Sequence, residues 1–222
     1  MMPHAANRSA RTRLRTAIRC AHWRASIAVA LIVAVAFPSH AQGEKAARAL
    51  YAQAQRAYET DLRRSATLSE RALSSLGADA DTALRREIEA HRCMSYSGFS
   101  ATRALALSAA GLRTAAKEND KLSKARFLTC EAYATEVAGD MTAAAAIYDR
   151  AMIAAHASED PDAIADALAY RGENRHYQGR YDDALVDLKR AYDLYAAIGG
   201  NAGSGGRRYT LNAMANLYSD PH

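Results

Sequence analysis

Residues 177–185, Tyr-Gln-Gly-Arg-Tyr-Asp-Asp-Ala-Leu, mark a register that repeats along the chain with a period of about 40. One period earlier, residues 137–145 read Val-Ala-Gly-Asp-Met-Thr-Ala-Ala-Ala, and Ala104-Leu105 lies at the corresponding place before that. Ala72-Leu73 marks a weaker first copy. Similarity at a fixed spacing of this size indicates stacked structural repeats. The alternative is an ordinary helical bundle in which the spacing is accidental.

Each copy contains two helical stretches. The fourth copy has one apolar stripe of helical period, formed by Ala184, Leu185, Leu188, Ala191, Tyr192 and Tyr195. Asp160-Pro161 supplies an N-cap and an N1 proline for its other helix. A helix pair of this size buries its apolar face only by stacking on neighbouring pairs. We therefore predict an all-α fold, an α-solenoid of about four helix-turn-helix repeats with a period of about 40, plus an unpaired C-terminal helix over 206–219.

Residues 1–41 have the order of features of a secretory signal peptide. Six arginines and no acidic residue precede an apolar run over 25–37, and Ser39-His40-Ala41 ends the segment. The alternative is an uncleaved membrane anchor, but the run is shorter than the roughly 20 residues that span a bilayer. We predict export to the periplasm with cleavage near Ala41, so that 1–41 is the signal peptide and 42–222 the helical repeat domain.

The signal segment also explains the basic character of the whole chain. The chain carries 29 Lys and Arg against 24 Asp and Glu, but six of the arginines lie within the predicted signal peptide. The 23 basic residues that follow are interspersed with 24 acidic ones. Nucleic-acid binders carry a clustered basic surface. We therefore expect no nucleic-acid partner.

No set of residues in the sequence has the spacing of a catalytic or metal site. Glu87 and His91 lie four residues apart, which suits a metal pair, but no third ligand accompanies them. The glycine-rich residues 199–206 lack the strand and the Gly-Lys-Ser/Thr ending of a phosphate loop, so we predict a flexible joint between repeats. We expect no enzymatic activity, cofactor or metal. Cys93 and Cys130 form either a disulfide, if the chain is exported, or two buried thiols.

The fourth copy resembles a tetratricopeptide repeat, with a matching order and spacing of Gly172, Gly179, Tyr181, Ala184, Leu188 and Ala191. The third copy departs from the pattern at Ala132 and Met141, and the period is longer than that of the family's repeat unit. The resemblance implies a concave groove that binds a protein or peptide, or a surface for self-association. The groove positions that it implies here are Arg86, Glu89, Tyr96, Arg126, Thr129, Tyr133, Glu136, Glu173, His176 and Tyr177.

A narrower resemblance concerns the whole arrangement of an export signal, long-period repeats and the phrase Thr-Leu-Asn-Ala-Met-Ala-Asn-Leu-Tyr at 210–218. It is similar to the periplasmic N-terminal part of certain membrane-bound diguanylate cyclases. The resemblance implies a second function class, the truncated sensory region of a signalling enzyme whose catalytic domain is absent from this chain. A membrane attachment would then come only through a missing C-terminal segment.

Overall fold

A computed structural model of the chain describes residues 41–77 and 80–219. These residues form nine helices and no strand, which confirms the prediction of an all-helical fold for this part of the chain. The helices are α1 at 41–58, α2 Leu62–Ser75, α3 Thr82–Ser97, α4 Ala101–Glu118, α5 Lys121–Val137, α6 Met141–Ser158, α7 Pro161–Tyr177, α8 Tyr181–Ile198 and α9 Gly200–Ser219. Apart from Ala41, the predicted signal peptide lies outside the described residues.

Aspartate side chains start five of these helices. The carboxylate of each accepts a hydrogen bond from a backbone N–H in the first turn, and the five are Asp61, Asp81, Asp120, Asp140 and Asp160. Pro161 follows Asp160 at the first helical position, as the sequence indicated. Each cap stabilises its helix by about 1 kcal/mol, because it satisfies a donor that has no partner within the helix.

The helices pack in succession as two layers. From α2 onward each helix contacts its neighbour in sequence, and α3, α5, α7 and α9 also contact one another in that order. Helix α1 packs on α2, where the hydroxyl of Ser65 donates a hydrogen bond to the carbonyl oxygen of Ala54. Within the described residues, the backbones of α2, α4, α6 and α8 do not pack on one another, although an ion pair between Glu70 and Arg103 links α2 with α4. The odd-numbered helices therefore form a continuous inner layer, and the even-numbered helices are splayed on the outside of a curved, solenoid-like array.

The curvature brings the first helix across to the later ones. The hydroxyl groups of Tyr58, in α1, and Tyr170, in α7, lie 2.9 Å apart and share a hydrogen bond. Glu59, which follows α1, forms an ion pair with Arg208 of α9. These contacts join parts of the chain that are far apart in the sequence, so they close the inner side of the array.

The structure corrects two expectations about the C-terminal segment. The described residues form nine successive helices, and the last of them begins at Gly200 instead of near 206 and packs on α8 and α7. Its apolar side chains Ala213 and Leu217 are buried against Ala184 and Leu188 of α8. In the glycine-rich segment predicted to be a flexible joint, Gly199 ends α8 and residues 200–206 form the first part of α9; only Gly199 and Gly200 of that segment adopt positive φ.

The glycines within α9 allow its close approach to α8. A Cβ atom at Gly203 would overlap the backbone carbonyl oxygen of Tyr195, and one at Gly206 would overlap the Tyr195 ring. The hydroxyl of Tyr195 in turn donates a hydrogen bond to Asp166 of α7. The absence of side chains at these glycines is therefore a packing requirement, and it fixes Tyr195 between α7 and α9.

A disulfide joins two neighbouring helices of the inner layer. Cys93 of α3 and Cys130 of α5 are bonded, with their Cα atoms 6.0 Å apart. Both residues are fully buried, and they lie in a core cluster with Phe127 and Ala104. The bond links cysteines that are 37 positions apart in the sequence, so it closes a covalent loop across α3, α4 and α5.

We predict that replacing Gly206 by alanine destabilises the fold by about 1–3 kcal/mol, because the added methyl group meets a packed ring. Urea unfolding monitored by circular dichroism measures this change. The matched control is Gly205→Ala, whose Cβ would meet only the carboxylate end of Glu59, 3.1 Å away. That variant should be as stable as the wild type or slightly more stable, because alanine favours a helix. Equal losses in both variants would contradict the packing role of Gly206.

We predict that reduction of the disulfide lowers the free energy of unfolding by about 2–4 kcal/mol, since the cross-link restricts the unfolded chain. The full chain has three cysteines. Cys20 lies within the predicted signal peptide, so the test follows the other two. Mass spectrometry after alkylation in denaturant should show Cys93 and Cys130 modified only after reduction. The double variant Cys93→Ala/Cys130→Ala should have the same stability with and without reductant. Alkylation of Cys93 and Cys130 before reduction would refute the bond.

Candidate partner-binding face

Four odd-numbered helices surround a polar pocket on the inner layer, which we call the inner pocket. Its volume is about 160 Å³. The residues that line it are Tyr51 and Gln55 of α1, Glu87, Ala90, His91 and Met94 of α3, Arg126 and Thr129 of α5, and Asp162, Ala163 and Asp166 of α7. No two of these helices are consecutive in sequence, so the pocket is a product of the array and not of any one helix pair.

The helical period explains which side chains face the pocket. On α3, Glu87, His91 and Met94 lie at positions i, i+4 and i+7, and on α7, Asp162 and Asp166 lie at i and i+4. Residues at these spacings share one face of a helix. Each helix therefore contributes one stripe, and the contacts within the odd-numbered layer align the stripes around a common space.

The inner pocket carries an excess of negative charge. Glu87, Asp162 and Asp166 bring three carboxylates into it, and Arg126 is the one Lys or Arg side chain among its lining residues. The Arg126 guanidinium lies 3.9 Å from the Asp162 carboxylate, which is a long ion pair. Burial raises the pKa of Asp162 above its ordinary value, and Arg126 offsets part of this effect.

Asp166 lies deepest in this group of charges. Burial and the neighbouring charge of Asp162 raise the pKa of Asp166 to about 7, although the hydrogen bond from Tyr195 stabilises its ionised form. A carboxyl group with such a pKa is partly protonated at neutral pH. Its ionised form would gain from a positive charge placed in the pocket.

Aromatic side chains form the wall of the inner pocket next to α1. The ring of His91 lies 5.3 Å from the rings of both Tyr51 and Tyr58, measured between centroids. Its Nε2 atom is 3.1 Å from the hydroxyl oxygen of Ser65. Burial lowers the pKa of His91 to about 4, so the imidazole is neutral at neutral pH and adds no positive charge to the pocket.

Beyond the pocket, tyrosines continue along the inner face toward the ends of α5 and α7. The ring of Tyr170 lies 5.3 Å from that of Tyr133 and 5.2 Å from that of Tyr209, while its hydroxyl bonds Tyr58. The hydroxyl of Tyr209 donates a hydrogen bond to Glu173. We call these four residues, Tyr58, Tyr133, Tyr170 and Tyr209, the tyrosine cluster.

A buried carboxyl group lies beside the tyrosine cluster. Glu136 of α5 is 5% exposed, and it accepts a hydrogen bond of 2.7 Å from the amide nitrogen of Asn174 in α7. Burial raises the pKa of Glu136 to about 7, the charge of Glu173 adds to the rise, and the bond from Asn174 opposes it. The inner face thus holds two carboxyl groups, Asp166 and Glu136, that titrate near neutral pH.

The structure places seven of the ten predicted groove residues on or beside the inner face. Arg126 and Thr129 line the inner pocket. Tyr133 belongs to the tyrosine cluster, and Glu136 and Glu173 bond to residues at the ends of the same helices. The other two lie at the end of α7, where the ring of buried His176 stacks on that of Tyr177, which is 56% exposed.

The other three predicted groove residues lie on other faces of α3. Arg86 forms ion pairs with Glu118 of α4 and with Glu89, which directs both side chains toward the outer layer. Tyr96 is buried between α2 and α4, where its hydroxyl donates to Glu70 and Arg103 covers its ring. The cause is helical phase, because at 100° per residue Tyr96 lies about 200° around the helix from Met94, which faces the pocket.

Reasoning from the sequence missed most of the acidic and aromatic residues of this face. Glu87 and His91 were considered only as a metal pair, and Asp162, Asp166 and the tyrosines of α1 were not singled out. The spacing of Asp162 and Asp166 on α7 was a usable signal, since four residues place two carboxylates on one helix face. No local feature of the sequence indicated that α1 contributes residues to the inner pocket.

The arrangement offers charge, hydrogen-bond acceptors and aromatic rings, but no assembled reactive group. Among residues 41–77 and 80–219, no three His, Cys, Asp or Glu side chains are placed to hold a metal ion. None of the helices in those ranges is long and apolar enough to cross a bilayer. No protein-family model matches the chain, and a comparison with curated proteins finds no match.

We predict that Glu136→Gln makes the fold less sensitive to pH. The pKa of Glu136 is raised on folding from an ordinary value of 4.5. Its contribution to stability is therefore full below about pH 4.5 and is lost as the pH rises toward 7. The variant should gain on the order of 2–3 kcal/mol relative to the wild type between pH 4.5 and 8.

Urea unfolding at a series of pH values measures this difference. Glutamine keeps the acceptor for Asn174 and removes the charge, so the comparison isolates ionisation. Asp193→Asn is the control, because Asp193 is exposed on α8 away from the inner face. If the stability of Glu136→Gln follows the wild-type pH curve in parallel, the raised pKa of Glu136 is wrong.

Proposed function

We propose that the chain is an exported, non-catalytic, tetratricopeptide-like repeat module that binds a protein or peptide through its inner face. The starts of α3, α5, α7 and α9, at Thr82, Lys121, Pro161 and Gly200, follow one another at the period of the sequence repeat. This spacing supports a division of the helices into about four pairs followed by α9. The continuous layer of odd-numbered helices then presents one extended surface to a partner.

The excess negative charge of the inner pocket is the observation that carries the proposal. Three carboxylates face one guanidinium in a confined space, and two of the carboxylates have raised pKa values because their ionised forms lack compensation. A lysine or arginine side chain entering the pocket would supply the missing charge. The ring of Tyr51, which lines the pocket, favours the same ligand, because a cation is attracted to an aromatic face.

The dimensions of the face favour an extended peptide segment. A cavity of about 150 Å³ holds one molecule of the size of benzene, so a pocket of about 160 Å³ admits one basic side chain. The four helices that line the pocket, spaced about 9 Å apart, span about 30 Å, which an extended peptide covers with about ten residues. The partner segment is therefore a short, basic stretch of polypeptide and not a folded domain.

Fluorescence anisotropy with synthetic peptides tests this proposal. The probe is a fluorescein-labelled peptide of about ten residues that alternates Lys and Ser. We expect the full chain to bind it, and we expect a variant with Glu87→Gln and Asp166→Asn to bind about tenfold more weakly, which corresponds to about 1.4 kcal/mol. Binding by the wild type should strengthen between pH 6 and 8 as Asp166 ionises, and weaken with added salt.

Two controls make the result specific. Asp193→Asn removes an exposed carboxylate outside the inner face and should leave the affinity unchanged. A peptide in which Glu replaces Lys should not compete for the site. If the acidic peptide competes equally, or if the pocket variant binds the basic peptide as tightly as the wild type, the inner pocket is not the recognition site.

A further inference from the structure

A second concave surface lies on the outer side of the array, between α4 and α6. We call it the outer groove. Its volume is about 670 Å³, larger than that of the inner pocket. The residues that line it are Leu112, Ala115 and Ala116 of α4, Asn119 and Asp120 of the connection, Lys121, Lys124 and Leu128 of α5, and Arg150, Ile153, Ala154 and Ala157 of α6.

The outer groove exists because two helices share a neighbour without touching. Within the described residues, α4 and α6 both pack on α5 and make no contact with each other. The buried side chain of Leu128 lies at the floor, and the short side chains of Ala115 and Ala154 leave the space between the walls unfilled. Ile153 stands in one wall with 72% of its surface exposed. A large apolar side chain left in water at a concave surface is a feature of interaction sites.

The charges around this apolar surface are almost all positive. Lys121, Lys124 and Arg150 line the groove and are exposed. Among the ion pairs of the described residues, none involves these three side chains. The one acidic lining residue, Asp120, caps α5 and accepts hydrogen bonds from the backbone nitrogen and the hydroxyl of Ser123. The lining therefore carries three positive charges against one negative charge.

We propose that the outer groove docks an amphipathic helix of a partner protein that carries acidic residues beside its apolar face. The floor and both walls are helices, so a further helix packs there by the same side-chain interdigitation as within the array. The lining segment 150–157 is two helical turns long, about 11 Å. The apolar residues of the partner helix cover Ile153 and the partly exposed Leu112, and its carboxylates face Lys121, Lys124 and Arg150.

This surface is independent of the inner pocket. Helix α5 contributes to both, but the two surfaces share no lining residue and carry opposite charge. A basic peptide bound at the inner face therefore leaves the outer groove accessible. The chain has the features of an adaptor that holds two partners of opposite charge at once.

Fluorescence anisotropy with a designed helix tests the outer groove. The probe is a fluorescein-labelled peptide of about 18 residues, five turns, with Leu at i, i+3, i+4 and i+7, Glu beside the Leu stripe and Gln elsewhere. We expect the full chain to bind it. Ile153→Glu and the double variant Lys121→Glu/Lys124→Glu should each weaken binding about tenfold or more, through lost apolar contact and reversed charge respectively.

The matched control is Val186→Glu. Val186 is an apolar residue of α8 that is 65% exposed and lies outside the groove, so its replacement should leave binding unchanged. A version of the peptide with Lys in place of Glu should not displace the acidic probe from the wild type. This Lys peptide should instead bind Lys121→Glu/Lys124→Glu, because the peptide and the groove have then both reversed the sign of their charge. All four substituted positions are exposed, so we expect each variant to fold. Circular dichroism checks this.

Specific outcomes overturn the proposal. Equal binding of the acidic peptide by Ile153→Glu and Val186→Glu would place the contact elsewhere. Concentration-dependent dimerisation of the wild type that Ile153→Glu abolishes would make a second copy of the chain the occupant. Binding of the Lys-Ser peptide should be unaffected by every outer-groove variant, and binding of the acidic helix should be unaffected by Glu87→Gln/Asp166→Asn. Failure of one proposal is thus distinguishable from failure of the other.

Discussion

Small residues where neighbouring helices cross let those helices approach closely, and the other features of the structure depend on this approach. Ala104, Ala144 and Ala184 lie one turn into α4, α6 and α8 and are fully buried. At Gly172 of α7, an added Cβ would lie only 2.9 Å from the side chain of Leu188. Because contacts continue along the odd-numbered helices and not along the even-numbered ones, the array curves. The curvature closes the inner face through Tyr58 and Tyr170 and leaves the outer face open in grooves.

The same curvature has an energetic consequence for the polar residues of the inner layer. It brings carboxylates from separate helices into one partly desolvated space, which raises the pKa values of Asp166 and Glu136 to about 7. Keeping such groups ionised at neutral pH costs stability, and neutral side chains of the same size would avoid this cost. Groups of this kind concentrate where a protein binds or reacts, because the missing compensation is supplied by a partner.

Features that depend on residues close together in the sequence could be predicted, whereas contacts between distant residues could not. The aspartates before five of the helices and the apolar stripe of α8 depend on residues a few positions apart, so both could be predicted. The position of Tyr96 could not, because a difference of two residues in helical phase moves a side chain to the opposite face. Gly203 and Gly206 were predicted to lie in a flexible joint, since glycine alone does not indicate that a ring, that of Tyr195, packs against it. The contact of Tyr58 with Tyr170 depends on the summed curvature of seven helices, for which no short stretch of sequence carries a signal.

Although the sequence is nearly balanced in charge, the structure does not distribute that charge evenly. Residues 42–222 hold 23 basic and 24 acidic side chains, which gives almost no net charge. The structure separates part of this charge, with Glu87, Asp162 and Asp166 lining the inner pocket and Lys121, Lys124 and Arg150 lining the outer groove. Because a nearly neutral molecule exerts little long-range attraction and salt screens charges beyond about 10 Å, selection between partners depends on contact within each concave surface. Recognition by such a scaffold is therefore a matter of which face a segment fits, and the sign of its charge decides between the two.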